Sequence, residues 1–331
     1  MQNNLDATSQ DAALIQLCRR PVDPSARDRA RLSILDWLGC ALAARQQPAL
    51  LAMGRALGFD DAVAELSRAT SAQEAAFAVG ALGNVLEMDD LHRAAILHAG
   101  DTVCPAALAV GLRGDGTGAS LLDAVVRGYE AAIRIGRVAA SGGYTPFYNS
   151  GTCGVFGAAM AAADLEGLTE EGMADALAQA AMQAAGIWQC RLEPGFSKQL
   201  ACAHAARAGV LSARLGAVGF TGPRRILTGR LGFFASFYPA AEMATLTAPT
   251  VGWAIEEVSV KPYPACRHTH PAIAAALDLR DCLSSPPDAL ELRTYGAALA
   301  FCDAPRPETD DEARFSLQHA VAVTLIHGPP G

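Results

Sequence analysis

Apolar and polar positions recur along most of this chain with helical spacing. In "SARDRARLSILDWLGCALAA", after the cap-like pair Asp23-Pro24, residues Leu32, Leu35, Leu38 and Leu42 fall at intervals of three and four. That spacing predicts an amphipathic helix with the leucines on its apolar face and a buried, wholly apolar second half. "GTCGVFGAAMAAADLEGL" and "EEGMADALAQAAMQAAGIW" are dominated by Ala, Gly and Met. Side chains this small let helices approach closely and suit a packed helical core, not strands. Between them Thr169, followed by Glu170 and Glu171, reads as an N-cap with acids in the first turn, where the helix dipole favours them.

The period changes after the turn-rich "GAVGFTGPRRILTGRLGFF". "AIEEVSVKPYP" alternates Ile255, Val258 and Val260 with polar residues and stops at Pro262 and Pro264, which predicts a strand. A helix is predicted from "HPAIAAALDLRDCL", a second strand around "ALELRTYGAALAF", and a last helix over "DEARFSLQHAVAVTLIHG". The pattern thus predicts a mainly α protein: a large all-helical domain over residues 1–253, then a smaller α/β domain over 254–331. Because "HGPPG" follows an apolar helix directly, that second domain is expected to be incomplete, the chain reading as C-terminally truncated.

Composition narrows the function classes. At 331 residues two domains are the ordinary expectation, and 51% hydrophobic with 18% charged residues supplies ample core. A net charge of −8 without any lysine and arginine cluster disfavours nucleic acid. The N-terminus has its basic residues after the apolar segment and no continuous apolar core, so it is no secretory signal, and a cytoplasmic protein is expected. The longest uncharged run, Val138 to Ala163, is too broken by glycine, proline and polar residues to span a bilayer. Nine cysteines include no C-x-x-C pair, which argues against zinc ribbons, iron–sulfur clusters and disulfide frameworks, and reads most of them as small buried hydrophobes.

Four constellations carry candidate chemistry. "LEMDDLHRAAILHAGDTVCP" gathers Glu87, Asp89, Asp90, His92 and His98, either a solvated helix end with its caps or a titratable site; the spacing offers no metal ligand set. "YTPFYNSGTCGVFGAA" brings Tyr144, Tyr148, Asn149, Ser150 and Thr152 to a helix start, where a capped turn or a carboxylate pocket can form. "EPGFSKQLACAHAARAG" sets Lys198 and His204 in apolar surroundings, Lys198 either snorkelling or clamping an anion. "KPYPACRHTHPAI" holds Lys261, Cys266, Arg267, His268 and His270 in a loop stiffened by prolines; it lacks paired zinc-ligand spacing and suits anion recognition.

On these residues the chain resembles the MmgE/PrpD family, which includes 2-methylcitrate dehydratase, cis-aconitate decarboxylase and iminodisuccinate epimerase. "EMDDLH", "HAGDTVCPAALA", "TCGVFGAAMAAA", "GFTGP" and "KPYPACRHTH" match its recurrent motifs in order, from about Leu32 to His327. The resemblance implies an all-helical domain and an α/β lid with the active site in the cleft between them, a homodimer formed through the helical domain, and no metal or organic cofactor. It carries over onto Glu87, Asp89, Asp90, His98, Lys198, Lys261 and His319; with the loop residues read above, the expected catalytic set is Asp89, His98, Tyr148, Lys198, Lys261 and His319, and the expected substrate-binding set Glu87, Asp90, Asn149, Ser150, Arg267 and His268. Two positions depart: Glu87 stands where aspartate is usual, and Tyr148 where histidine is frequent, as in epimerase-like members.

The shared chemistry is proton removal next to a carboxylate, or its equivalent in decarboxylation, which demands a base, an acid and cations for the enolate charge. The leading expectation is a cofactor-independent hydro-lyase acting on a small tricarboxylate of the 2-methylcitrate kind. The second is an epimerase of an amino- or imino-dicarboxylate using Tyr148 and Lys261, with the Tyr148 phenol lowered by nearby cations. The third is an inactive dimeric binding protein.

Overall fold

The computed structural model describes residues 9–193, 195–283, 285 and 287–330. They form two compact units. The first gathers the residues up to Val85 with Asp89–Trp188 and Phe196–Val260; the second joins Leu86–Met88 and Gln189–Gly195 to the residues from Lys261 onward.

The first unit is a helical core centred on Gly154–Leu165, which packs against Gly118–Ala140, Ser197–Ala217, Gly100–Gly111 and Glu170–Ala181. Every residue from Gly154 to Ala163 is buried, as a helix apolar all round must be. Small residues permit the spacing. A Cβ on Gly157 would lie 2.7 Å from the Gly128 carbonyl oxygen, and one on Gly209 only 2.4 Å from Ala158 Cβ. The predicted caps form, Asp23 accepting from the Ala26 N–H and Thr169 from the Gly172 N–H.

Pro24–Ala44 is a helix as predicted, but its buried face is a different one. Ala26, Ala30, Ser33, Trp37, Cys40, Ala41 and Ala44 are buried, whereas Leu32, Leu35 and Leu42 are 55, 66 and 51% exposed. The core selects the smaller residues, which let this helix lie close against Gly118–Ala140 and Gly100–Gly111.

Both predicted strands are corrected, and the mainly α class stands. Ala254–Glu257 is a 3-10 turn that buries Ile255 and Val258, three residues apart, and leaves Val260 exposed. Period three wins over period two. All that remains of β pairing there is one antiparallel bridge between Leu91 and Ser259, with backbone bonds of 2.9 Å each way. In the second predicted strand, Gly296–Cys302 is helical. Among the described residues the second unit is helical, His270–Arg280 packing on Leu317–His327. The last predicted helix is split where Ser316 caps Leu317–His327 and Asp310–Ala313 stands apart. No helix among the described residues is long and apolar enough to cross a membrane.

Candidate active site

In the first unit, residues 89–101 leave the Leu91–Ser259 bridge, turn back on themselves and enter the helix Gly100–Gly111. The turn is tight: His92 and Leu97 pair, and Ile96 is forced to a φ of +49°, a genuine outlier for a β-branched residue. Such strain costs about 1–3 kcal/mol and persists only where surroundings over-determine it. Here the His92 Nδ1 accepts from the Ala95 N–H at 3.1 Å, and Asn149 Nδ2 donates to the Ala95 carbonyl at 2.9 Å.

The strained turn delivers His98. Its backbone N–H donates to Ser150 Oγ at 3.0 Å, and its ring Nδ1 lies 2.7 Å from the Asp90 carbonyl and 2.6 Å from Asp89 Oδ2. The Asp90 carbonyl can only accept, so it places a proton at Nδ1 and orients the ring. Asp90 is the brace, accepting from Tyr129 O–H at 2.6 Å and from the Gly100 N–H at 3.0 Å.

Asp101, absent from the sequence reading, completes the cluster. It is fully buried, and a Cβ on Gly83 would lie 2.1 Å from its Oδ1, so glycine is required there. Burial, the Asp89 charge and a hydrogen bond with Asp89 push its carboxyl well above the ordinary range, while Lys198 pulls it down. Asp101 therefore holds its proton more tightly than an ordinary carboxyl does. The signal for Asp101 was visible: a lone carboxylate opening the otherwise apolar helix "GDTVCPAALAVG", three residues after His98.

Tyr148 is fully buried, its hydroxyl 3.5 Å from Cys202 Sγ and its ring edge-on to Trp188 at 4.7 Å. Asn84 Nδ2 donates to Cys202 Sγ at 3.0 Å, and that sulfur lies 3.9 Å from Asp101 Oδ2. Burial, Cys202, Asp101 and Asp89 hold the Tyr148 phenol well above its usual value. This runs against the expectation of a lowered phenol: burial and the neighbouring acids raise Tyr148 instead of lowering it. Cys202, read from sequence as a small hydrophobe, is the link between Tyr148 and Asp101.

The helix start at 149–152 is braced. Asn149 accepts from Tyr238 O–H at 3.1 Å, Thr152 Oγ1 is 2.6 Å from the same hydroxyl, and Tyr144 is exposed. His204 Nε2 is bonded to the Gln183 carbonyl at 3.0 Å. Among the described residues, Asp89, His98 and Asp101 each offer a ligand atom, all within 4.8 Å of one another, and so could together hold a cation.

The second unit holds its own polar group. Lys261 Nζ donates to the Glu87 carbonyl at 2.9 Å and lies 3.4 Å from its Oε2, both residues being buried and Glu87 at a φ of +53°. His268 Nδ1 is 2.7 Å from Tyr295 O–H, and burial followed by the Arg267 and Arg191 charges pushes the imidazole down to about 4. Arg267 is half-buried, and His319 is exposed on Leu317–His327.

The model of the MmgE/PrpD N-terminal domain matches residues 14–246, and that of the MmgE/PrpD C-terminal domain matches 263–331. Cis-aconitate decarboxylase of Aspergillus terreus is 27% identical over 282 residues, 76% of this chain and 56% of its own. The cis-aconitate decarboxylase-like protein oryM of Aspergillus oryzae is 28% identical over 258 residues, 70% of this chain and 52% of its own. The chain spans about half the length of the curated relatives it matches. With both family models together covering most of its length, the chain belongs to the MmgE/PrpD family.

Proposed function

We propose that this protein is a lyase that decarboxylates a tricarboxylate of the cis-aconitate type without a metal or organic cofactor. One observation carries the reading: the buried carboxylates of Asp89 and Asp101 lie within 4.8 Å of each other, so that burial and Asp89 raise Asp101 while the Lys198 charge acts on it, and buried Tyr148 is raised beside them. Decarboxylation consumes a proton, so a site that stores one suits it. In cis-aconitate the carboxylate on the CH2 arm is β,γ to the double bond. As its C–C bond breaks, CO2 leaves, the electron pair moves through the alkene, and negative charge appears on the far carbon beside another carboxylate. Lys198 stabilises that charge, and the Asp101 proton or Tyr148 O–H quenches it.

A second reading, dehydration of a 2-methylcitrate-like hydroxy acid, draws on the His98–Asp89 contact, an oriented imidazole that can take a proton while Asp101 protonates the leaving hydroxyl. The epimerase reading needs a Tyr148 base, which its burial opposes. The proposal extends to a homodimer, for which exposed Leu32, Leu35 and Leu42 supply an apolar face; sedimentation velocity of Leu35→Asp should then show a monomer.

Proton NMR in D2O with cis-aconitate, 2-methylcitrate, citrate and iminodisuccinate separates the chemistries. Loss of CO2 from cis-aconitate with one deuterium delivered to carbon is expected. Dehydration alone would move the assignment to a hydro-lyase, and exchange without a new product to an epimerase. Ligand-induced thermal shift with no turnover of any substrate would leave a binding protein.

A further inference from the structure

The second unit carries two buried thiols for which the proposed chemistry has no use. Cys266 lies in the loop after Lys261, and Cys302 ends the helix Gly296–Cys302. Both sit in one apolar cluster with Ala272, Ala298 and Leu317, and their side chains are hydrogen-bonded to each other. Each backbone is anchored. The Cys266 N–H donates to the Arg314 carbonyl at 2.8 Å, the Cys266 carbonyl accepts from Thr269 Oγ1 at 2.8 Å, and the Cys302 carbonyl accepts from the Ala304 N–H at 3.0 Å.

We propose that Cys266 and Cys302 form a peroxide-responsive dithiol whose oxidation ties the loop carrying Lys261 and Arg267 to the Gly296–Cys302 helix. The oxidant class follows from burial: Cys266 is 7% and Cys302 1% exposed, so the reagent must be as small as hydrogen peroxide. The order of events follows from the shared proton. The bond from Cys302 holds the Cys266 thiol below its ordinary value and raises Cys302, which makes Cys266 the nucleophile. Its sulfur attacks one peroxide oxygen, an S–O bond forms, the O–O bond breaks, and the second oxygen leaves as water, giving a sulfenic acid. The Cys302 sulfur then attacks the sulfenic sulfur; the S–S bond forms, the S–O bond breaks, and hydroxide departs as water with the Cys302 proton. Two thiols and one peroxide give one disulfide and two waters.

The two most accessible thiols serve as an internal control, Cys282 being exposed and Cys190 half-buried. Neither stands in the Cys266 cluster. The purified 331-residue chain is treated with a few equivalents of hydrogen peroxide, unfolded in urea with iodoacetamide to alkylate the remaining thiols, digested without reductant and mapped by mass spectrometry. A peptide pair linked through Cys266 and Cys302 and released by dithiothreitol is expected. Cys302→Ala should abolish it and leave Cys266 as a sulfenic acid that dimedone traps once the protein is unfolded in urea. Should that variant fail to fold, Cys282→Ser must keep the linked pair at the wild-type yield. Alkylation of both Cys266 and Cys302 after peroxide, or linkage of Cys266 to Cys282 or Cys190 instead, overturns the proposal.

Discussion

Asp101 and Glu87 are both buried carboxylates, and the two units neutralise them differently. In the first unit Asp101 meets another carboxylate, Asp89, and keeps a proton. In the second, Glu87 meets an ammonium, Lys261, and the pair is bonded through both the carboxylate and the backbone carbonyl. A proton can be handed over and recovered within one reaction cycle; a buried ion pair cannot change its charge without a large penalty. The first arrangement suits chemistry. The second suits holding a strained loop, since Glu87 sits at a positive φ that its surroundings must maintain.

The comparison breaks most visibly at Lys198, the cation whose charge acts on both Asp101 and Cys202. Lys198→Ala should lower kcat/KM for cis-aconitate by about a thousand-fold or more, the scale for losing a charge that stabilises a carbanion. Its circular dichroism spectrum and Tm should stay near wild type, because the side chain is only half-buried at the start of Ser197–Ala217. Unchanged kcat/KM would make Lys198 a snorkelling surface residue.

In the second unit the expected effect is on stability. Lys261→Met leaves the Glu87 carboxylate buried without its cation, and breaking such a pair costs about 3–5 kcal/mol. The double variant Lys261→Met with Glu87→Gln should recover most of that loss in urea unfolding. A single variant as stable as wild type would show that solvent reaches Glu87.

Asp101→Asn keeps the shape and removes the stored proton. Activity should fall about a hundred-fold, the usual scale for one general acid. The pH dependence supplies the sharper reading. Asp101 is raised in the folded state, so the stability it contributes is full below the ordinary carboxylate value of 3.8 and is lost as pH rises through the folded value. The wild-type Tm should therefore decline across that window, and Asp101→Asn should flatten the decline. Parallel Tm profiles for the two proteins would remove the Asp101 proton from the account.

How much of this was legible in the sequence differs by scale. The helices, their caps and the Ala/Gly core follow from local spacing and close packing, and the structure keeps them. The inward face of Pro24–Ala44 was misread because apolarity alone does not say which side packs; Trp37 and the small residues fit against neighbouring helices, and the leucines do not. The strand at 254–260 was misread because Ile255 and Val258 satisfy a three-residue period as well as an alternating one. At the site, Asp89, His98, Tyr148 and Lys198 were named from motifs. Asn84 and Cys202 were not, because their meaning lies in contacts 118 and 101 residues apart in the chain, which no local pattern encodes, and Asp101 was passed over although it is the lone carboxylate opening an apolar helix.

The smallest expected effect tests the proton against a metal ion at the same three residues. Asp89, His98 and Asp101 lie close enough together to hold a divalent cation, and a cation would supply the positive charge that the proton now supplies. The two occupants differ in what their removal does. If a metal were resident, overnight dialysis against EDTA would strand two buried carboxylates against each other, lowering Tm and activity together. If the proton is the occupant, the chelator has nothing to remove: Asp101 stays raised by burial and by Asp89, and His98 keeps its contacts with Asp89 and Asp90. Tm and turnover should match the untreated protein within error, with no restoration or gain on adding Mg2+, Mn2+ or Zn2+. A stoichiometric metal in the purified protein, lost together with activity and restored with it, would replace the Asp101 proton by a metal centre built from these same residues.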